Sequence, residues 1–169
     1  PFTEFKSEFM DVFLGATCRF VIGTSSGYWT VPIYFGKPAL LVNYLPILDY
    51  YSLGTKNIFL GKHLKNKKTG KKISIEKLFN FNIGYLTEDN QYEDQNIEII
   101  DNDENEIWES TVEILNLTND TEMGEEFIKL NSKFREKINL ENENLFDFKI
   151  KALANISSAY LRKCKIDDY

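Results

Sequence analysis

The sequence predicts an α/β fold in which helices flank a parallel sheet. Its N-terminal part alternates helical and strand-like patterns in the order helix, strand, glycine-rich turn, helix, strand. Consecutive parallel strands joined by a helix form a right-handed unit of an open sheet. With 169 residues, of which 43% are hydrophobic, the chain is long and apolar enough for one domain with its own core.

The N-terminal elements are predicted from apolar spacing and from the positions of glycine and proline. Ser7 can cap the first helix, whose apolar residues recur at helical spacing. Pro32 falls in the first turn of the second helix, where its missing N–H costs little, and Gly36 ends that helix. We expect a helix over 7–16, a strand over 19–22, a turn over 23–27, a helix over 28–35 and a strand over 39–43.

The middle of the chain is predicted to contain shorter elements. Apolar runs with β-branched residues favour strands, and clusters of glycine and polar residues favour turns. The elements expected here are an edge-like strand over 57–60, a turn at Thr69-Gly70, a short helix opened by Ser74 with Leu78 and Phe79 inward, a loop over 84–96 and a strand over 96–100.

Three helices are predicted in the C-terminal part. Asp103 can cap the first of them through its carboxylate. Apolar residues recur at helical spacing in all three. The helices and their predicted apolar faces are 104–116 with Ile107, Trp108, Thr111 and Leu115; 122–138 with Phe127, Leu130, Phe134 and Ile138; and 150–164 with Leu153, Ile156 and Tyr160.

Charge and composition argue against several classes of protein. The formal net charge of −6 argues against broad nucleic-acid binding. Because no apolar run approaches the roughly 20 residues that a membrane-spanning helix needs, we expect no transmembrane segment. Cys18 and Cys164 have neither metal-binding nor redox spacing. We interpret both as reduced thiols, which favours a cytoplasmic setting.

The residues that most suggest chemistry are Gly23, Thr24, Ser25, Ser26 and Gly27, between a predicted strand and a predicted helix. Such a turn lies at the carboxyl edge of a parallel sheet, where ligands bind. The helix N-terminus favours an anion, the glycines let the backbone approach a phosphate, and the hydroxyls can donate to its oxygens. No lysine follows at the spacing of an ATPase phosphate loop. The alternative is a tight turn whose hydroxyls only cap the helix.

The same five residues also fit G-x-S-x-G, the nucleophile elbow of serine hydrolases. That class needs an acid and then a histidine on later strands. His63 is the only histidine, and Asp49 is the only aspartate between it and Ser25. Because this interval is too short for the intervening sheet, we expect His63 to be a solvated turn residue and not a catalyst.

Further residues accompany the turn in a recognisable pattern. They are Phe9, Met10, Asp11, Phe13, Leu14, Phe20, the run 22–27, Pro32, Phe35, Gly36, Pro38, Asn43, Tyr44 and the C-terminal run 156–163. Together they resemble a family of bacterial glycosyltransferases from surface-polysaccharide gene clusters. The resemblance touches both ends of the chain and is looser in the middle.

That family resembles the GT-B class, in which two Rossmann-like domains enclose the active site. The resemblance implies that residues 1–169 form one Rossmann-like donor-binding domain without the N-terminal acceptor domain, and that 150–169 cross toward that missing domain. It implies that 23–27 hold the diphosphate of a nucleotide-sugar, without a metal or cofactor, and that Asn43 and Tyr44 contact the sugar or base. The catalytic base would come from the other domain.

The function so implied is transfer of a sugar from a nucleotide-sugar donor to a surface glycan or a lipid-linked acceptor. Such a protein would be cytoplasmic, or peripheral to the cytoplasmic face of the inner membrane. Two alternatives stay open: a nucleotide-sugar epimerase with the same two-domain fold, and a non-catalytic module that binds phosphosugars. Donor turnover without an acceptor would indicate the epimerase, and binding without turnover would indicate the module.

Two charged clusters have competing interpretations. The lysine-rich stretch between 62 and 72 could contact a phosphate-bearing acceptor, but a solvated hairpin is the favoured interpretation. The acidic residues within 101–104 superficially suggest a metal site, but we expect them to end a strand and cap a helix. The lysines concerned are Lys62, Lys65, Lys67, Lys68, Lys71 and Lys72.

Overall fold

The computed structural model describes residues 6–47, 54, 56–80, 83–119, 121–142 and 154–164. The strands are β1 (Val21–Gly23), β2 (Ala39–Tyr44), β3 (Ile58–Gly61), β4 (His63–Asn66), β5 (Ile97–Ile100) and β6 (Asn155–Ile156). The helices are α1 (Glu8–Thr17), α2 (Thr30–Tyr34), α3 (Ile75–Asn80), α4 (Asp89–Asp94), α5 (Glu104–Thr118), α6 (Glu125–Asn142) and α7 (Ser158–Lys163). Short 3-10 turns cover Gly27–Trp29 and Ile83–Tyr85.

Four strands form a parallel sheet in the order β1-β2-β3-β6. Helix α5 packs on β2 and β3, α7 packs on β3, and α1 packs on α2 beside β1. The predicted α/β fold with a parallel sheet flanked by helices is therefore confirmed, and the arrangement is consistent with a Rossmann-like domain. Among the described residues, no helix is both long and apolar enough to span a bilayer.

The core centres on β2 and β3, which are buried along most of their lengths. Strands covered on both faces are typically continuous apolar runs, as here. The strand predicted over 57–60 is confirmed as β3, but the prediction that it is edge-like is wrong, because β3 lies between β2 and β6. Strand β6, which pairs with β3 on the side away from β2, comes from the C-terminal part of the chain and has only two residues. The local sequence pattern therefore did not predict it.

Helix α1 confirms the predicted start, since the Ser7 hydroxyl accepts a hydrogen bond from the Met10 amide at 3.1 Å. A Cβ added at Gly15 would lie 2.9 Å from the Val31 side chain, so this glycine permits the close approach of α1 to α2. The apolar stripe of α1 is largely exposed, with Phe9 at 74%. The following strand, β1, covers Val21–Gly23, slightly later than the predicted 19–22.

Residues 62–101 connect β3 to α5, and we call them the β4–β5 excursion. Strands β4 and β5 pair antiparallel as a separate two-stranded sheet. The predicted turn at Thr69-Gly70 and the predicted strand at 96–100 are both confirmed. Strand β4 was not predicted, because Lys62 and Lys65 on either side of Leu64 obscure its apolar character.

The prediction of a loop over 84–96 is wrong, because α4 occupies Asp89–Asp94. Glu88 and Gln91 form a capping box that begins the helix. Tyr92 is its only buried residue, so the helix has no apolar stripe from which it could be recognised.

Helix α5 lies where predicted, but its predicted apolar face is wrong in part. The buried residues are Glu106, Ser110 and Ile114, whereas Trp108 is 67% exposed. A prediction from hydrophobicity placed this face wrongly because two of its buried residues, Glu106 and Ser110, are polar. In α6 the predicted inward residues Phe127, Leu130 and Phe134 are buried, as expected. The side chains of Phe79 and Ile138, and the whole of Leu153, lie outside the described residues.

The prediction of one helix over 150–164 is wrong, because β6 comes first and α7 begins only at Ser158. The Asn131 amide explains the strand. Its Nδ2 donates to the Ile156 carbonyl at 2.9 Å, and its Oδ1 accepts from the Ile156 amide at 2.8 Å. A side chain from α6 thus makes the backbone hydrogen bonds that a neighbouring strand would otherwise make. Because this contact is tertiary, the local sequence periodicity does not predict it.

Candidate functional site at the carboxyl edge of the sheet

The four parallel strands end at one edge, because parallel strands share a direction. The glycine turn follows β1 there, Leu45 follows β2, Lys62 follows β3 and Ser157 follows β6. In open α/β folds this edge is where ligands bind. The predicted site residues therefore lie at this edge of the sheet.

The glycine turn, residues 23–27, is open to solvent from Thr24 to Gly27. The Ser26 amide donates to the Thr24 carbonyl at 2.7 Å, which folds the turn tightly. Gly27 begins the 3-10 turn that runs directly into α2, and a Cβ added there would meet nothing within 4 Å. Space for a ligand next to this backbone is therefore present.

Two hydroxyls of the glycine turn have no protein partner among the described residues. Ser26 occupies the position of a helix cap, yet its side chain makes no capping hydrogen bond. Thr24 is likewise exposed and makes no side-chain hydrogen bond to a described residue. The alternative in which the hydroxyls serve only to cap the helix therefore has no support at Ser26.

Ser25 and Gly23 have structural roles in the turn. The Ser25 hydroxyl makes long hydrogen bonds to the Leu45 carbonyl and amide, at 3.3 and 3.4 Å, which tie the turn to the end of β2. A Cβ added at Gly23 would lie 3.3 Å from the Trp29 Cβ, so this glycine permits close packing of strand and helix. Both residues shape the turn that exposes Thr24 and Ser26.

Asn43 and Tyr44 lie at the end of β2, as predicted, but both are engaged by the protein. Asn43 has a φ of 50° and exchanges two hydrogen bonds with Asn102, each between a side-chain oxygen and a backbone amide at 2.6 Å. Tyr44 is 7% exposed and packs edge-on against Phe59, with ring centroids 4.8 Å apart. Their side chains are thus less available to a ligand than those of the glycine turn.

His63 is not a solvated turn residue, and that prediction is wrong. It begins β4 and is 3% exposed, with its ring stacked on Tyr160 at 5.2 Å. Its Nε2 lies 2.5 Å from Oε1 of Glu106, another buried residue. The lysines that surround His63 in the sequence suggested a solvated stretch, but β4 buries both His63 and Leu64 and leaves only Lys65 and Asn66 partly exposed.

The His63–Glu106 pair consists of a neutral imidazole and a carboxylate. Burial lowers the pKa of His63 and outweighs the opposing effect of Glu106. Burial works against ionisation of Glu106 too, but hydrogen bonds from His63 and from the Asp103 amide hold its pKa below the ordinary value. The second carboxylate oxygen lies 3.1 Å from the Lys163 ammonium. The pair is a satisfied internal network, with Nε2–H as the donor.

The hydrolase interpretation has no support in this geometry. The Ser25 hydroxyl is bonded to the Leu45 backbone, and the His63 imidazole is buried against Glu106. A nucleophile elbow requires a hydrogen bond between its serine and its histidine. No such bond joins these two described residues.

The acidic residues 101–104 cap a helix, as expected. The Asp103 carboxylate accepts from the Glu106 amide at 2.9 Å, and the Glu106 carboxylate accepts from the Asp103 amide at the same distance. This reciprocal box begins α5. Within the described ranges, no three histidine, cysteine or acidic side chains are grouped so that they could hold a metal.

Comparisons with known proteins add no family to these observations. No protein-family model, no curated protein and no solved structure matches the chain. The function therefore has to be argued from the residues and their geometry.

Proposed function

We propose that the chain is the donor-binding part of a glycosyltransferase and that the glycine turn binds the diphosphate of a nucleotide-sugar. The observation that carries the proposal is the open turn between β1 and the helical segment beginning at Gly27, with two hydroxyls that lack protein partners among the described residues. The resemblance to bacterial surface-polysaccharide glycosyltransferases supplies the class of ligand.

A diphosphate suits this turn for three physical reasons. The first amides of a helical segment have no partner inside the helix and can donate to an anion. Because Gly27 has no side chain and its surroundings are open, a phosphate oxygen can reach the backbone closely. The hydroxyls of Thr24 and Ser26 can exchange bound water for phosphate oxygens without breaking a bond within the described protein.

In this proposal Asn43 and Tyr44 position the end of β2 beside the turn. Asn43 is held by Asn102, and Tyr44 supports Trp29, whose ring centroid lies 6.4 Å away. Trp29 in turn lies against Gly23. Asn43 and Tyr44 therefore contribute to donor binding by shaping the site. In this proposal a second domain binds the acceptor and supplies the catalytic base.

The test is calorimetric titration of the chain with UDP, GDP, CMP, ADP, dTDP and their common sugars, repeated with Gly27→Val. A ligand that binds only the native state also raises its stability, by about 2.7 kcal/mol at a hundredfold excess over Kd. We expect one nucleotide class to bind, and we expect Gly27→Val to weaken it at least about tenfold, equivalent to about 1.4 kcal/mol.

Gly124→Val is the matched control. Gly124 also has nothing within 4 Å of an added Cβ, and neither glycine has a positive φ, so both substitutions are compatible with the fold. Equal donor affinity in wild type and Gly27→Val would contradict the proposal, as would the failure of every nucleotide to bind. Turnover of the donor without an acceptor would indicate that the protein is an epimerase and not a transferase.

A further inference from the structure

The β4–β5 excursion contains a cavity of about 340 Å³, separate from the glycine turn. Three lysines line it: Lys71, Lys72 and Lys77. None of the described residues that line it carries a carboxylate, although the chain as a whole has a formal net charge of −6. A concentration of positive charge around a concave site, against the sign of the whole molecule, is typical of an anion site.

The lysines that line the cavity differ in their ion pairing from two others in the β4–β5 excursion. The Lys62 ammonium lies 2.8 Å from Asp101, and the Lys65 ammonium lies 3.1 Å from Glu98. The three cavity lysines make no ion pair with any residue that the structure describes. No described carboxylate therefore neutralises these three charges, and an anion in the cavity would do so.

The uncharged polar lining also offers hydrogen-bond donors. The Asn66 side-chain oxygen accepts from the Lys68 amide at 3.0 Å and from the Thr69 amide at 2.9 Å. This orientation leaves the Asn66 Nδ2 group to donate. The Thr69 hydroxyl accepts a long hydrogen bond from the Lys71 amide, at 3.4 Å, so its own proton is free to be donated.

The rest of the lining includes three buried isoleucines, Ile73, Ile83 and Ile97. A bare phosphate ion would leave this apolar surface unused. A phosphate ester fills both parts of the cavity, because its charged group can face the lysines while its organic part covers the isoleucines. The ligand class that fits is thus a phosphate or diphosphate ester of a compact organic group.

We propose that the cavity lined by Lys71, Lys72 and Lys77 is a binding site for a phosphate or diphosphate ester, distinct from the glycine turn. The site does not depend on the proposed donor function, since it shares no residue with residues 23–27. Either site can be lost while the other is kept.

The first experiment follows backbone amide shifts by NMR during titration with pyrophosphate and with glucose 1-phosphate. We expect shifts within 69–73, around the cavity, and we expect them to persist in Gly27→Val. The substitutions Lys71→Gln, Lys72→Gln and Lys77→Gln together should lower the affinity at least about tenfold. The affinity of the cavity for these anions should also fall as the salt concentration is raised, because the three lysines are exposed.

A triple variant with the same change in charge provides the control. Lys56, Lys68 and Lys129 are exposed and do not line the cavity, so their replacement by Gln should change affinity less than about twofold. A second arm compares phosphatidylcholine vesicles with and without phosphatidic acid. Binding that depends on phosphatidic acid and on the cavity lysines would assign the phosphate to a lipid headgroup.

The proposal is overturned if neither glucose 1-phosphate nor the phosphatidic acid vesicles bind, or if the control triple weakens binding as much as the cavity triple. Shifts confined to 23–27 would overturn it as well, while supporting the donor site. A cavity triple that fails to fold is replaced by Lys77→Gln alone, which removes one charge from α3 and should still weaken binding several-fold.

Discussion

The two halves of the carboxyl edge differ in how their polar groups are satisfied. Beside β1 and β2, Thr24 and Ser26 expose hydroxyls without partners among the described residues. Beside β3 and β6, the polar groups are buried and paired. The hydroxyls of Ser110 and Ser157 lie 2.6 Å apart, and the Ser158 amide donates to Glu113 at 3.1 Å.

The difference teaches that the topology of a parallel sheet offers an edge but does not decide which part of it can bind. Helices α5 and α7 both pack on β3, and the Ser110 and Glu113 side chains of α5 complete hydrogen bonds of the residues that follow β6. An exposed donor exchanges water for ligand at little cost, whereas a buried, satisfied one must first be broken. One half is therefore suited to ligands and the other to stability.

The largest predicted effect is that of Glu106→Ala in the closed half. The substitution leaves the buried His63 without its partner and removes an acceptor from Lys163 and from the Asp103 amide. Leaving a buried hydrogen-bond donor without its partner costs about 1–3 kcal/mol. Urea denaturation should show this loss. Glu104→Ala, at an exposed position in the same first turn, should stay within about 1 kcal/mol. A loss below about 1 kcal/mol for Glu106→Ala would show that the pair does not stabilise the fold.

A smaller effect is expected from pH. Because the pKa of His63 is lowered by burial, the unfolded chain binds a proton below its ordinary pKa of about 6.5 that the folded chain does not. Stability is therefore full above about 6.5 and falls as the pH is lowered, by at most about 1.4 kcal/mol per pH unit. Lys72 and Lys163 act in the same direction on this group, and Glu106 acts against them.

The control for the pH effect is His63→Gln, which removes the only histidine. Burial raises the pKa of Glu113, so its titration has the opposite sign, and comparing the two proteins cancels it. The slope of stability between pH 7 and about 5.5 should be smaller in the variant. Identical slopes in denaturant unfolding would mean that His63 does not carry the pH dependence.

The smallest effect is expected at Ser26 in the open half. Its hydroxyl makes no capping bond, so Ser26→Ala should change stability by less than about 0.5 kcal/mol. Ser7→Ala provides the comparison, because the Ser7 hydroxyl accepts from the Met10 amide, and loss of such a cap costs about 1 kcal/mol. Nucleotide affinity should respond in the opposite order, falling several-fold for Ser26→Ala only. Equal losses of stability in thermal unfolding would remove the contrast between the two halves.

The open half of the edge was predictable from the sequence, and the closed half was not. Alternating helical and strand patterns, with glycines between them, locate β1, the glycine turn, α2 and β2, because each element depends on neighbours in the chain. The His63–Glu106 pair joins residues far apart in the chain, and burial made each of them part of the core. Nothing in the local pattern distinguishes such residues from solvated ones.

The errors in the later elements have the same physical origin. Helix α4 has a single buried residue, and β6 is a strand only because Asn131 and β3 pair with it. The buried face of α5 includes Glu106 and Ser110, whose polarity suggested exposure. In each case a tertiary hydrogen bond or contact outweighs the residue's usual preference.

The residues that flank the β4–β5 excursion, Gly61 and Asn102, are held together. The Asn102 Nδ2 group donates to the Gly61 carbonyl at 2.7 Å, and Asn102 also exchanges hydrogen bonds with Asn43. An insertion whose ends are held together can change in length and content with little entropic cost to the elements that it joins. The exposed turn over 67–70 is thus the place where an engineer could graft a different recognition surface, while His63 keeps its contact with Glu106 and the glycine turn is retained.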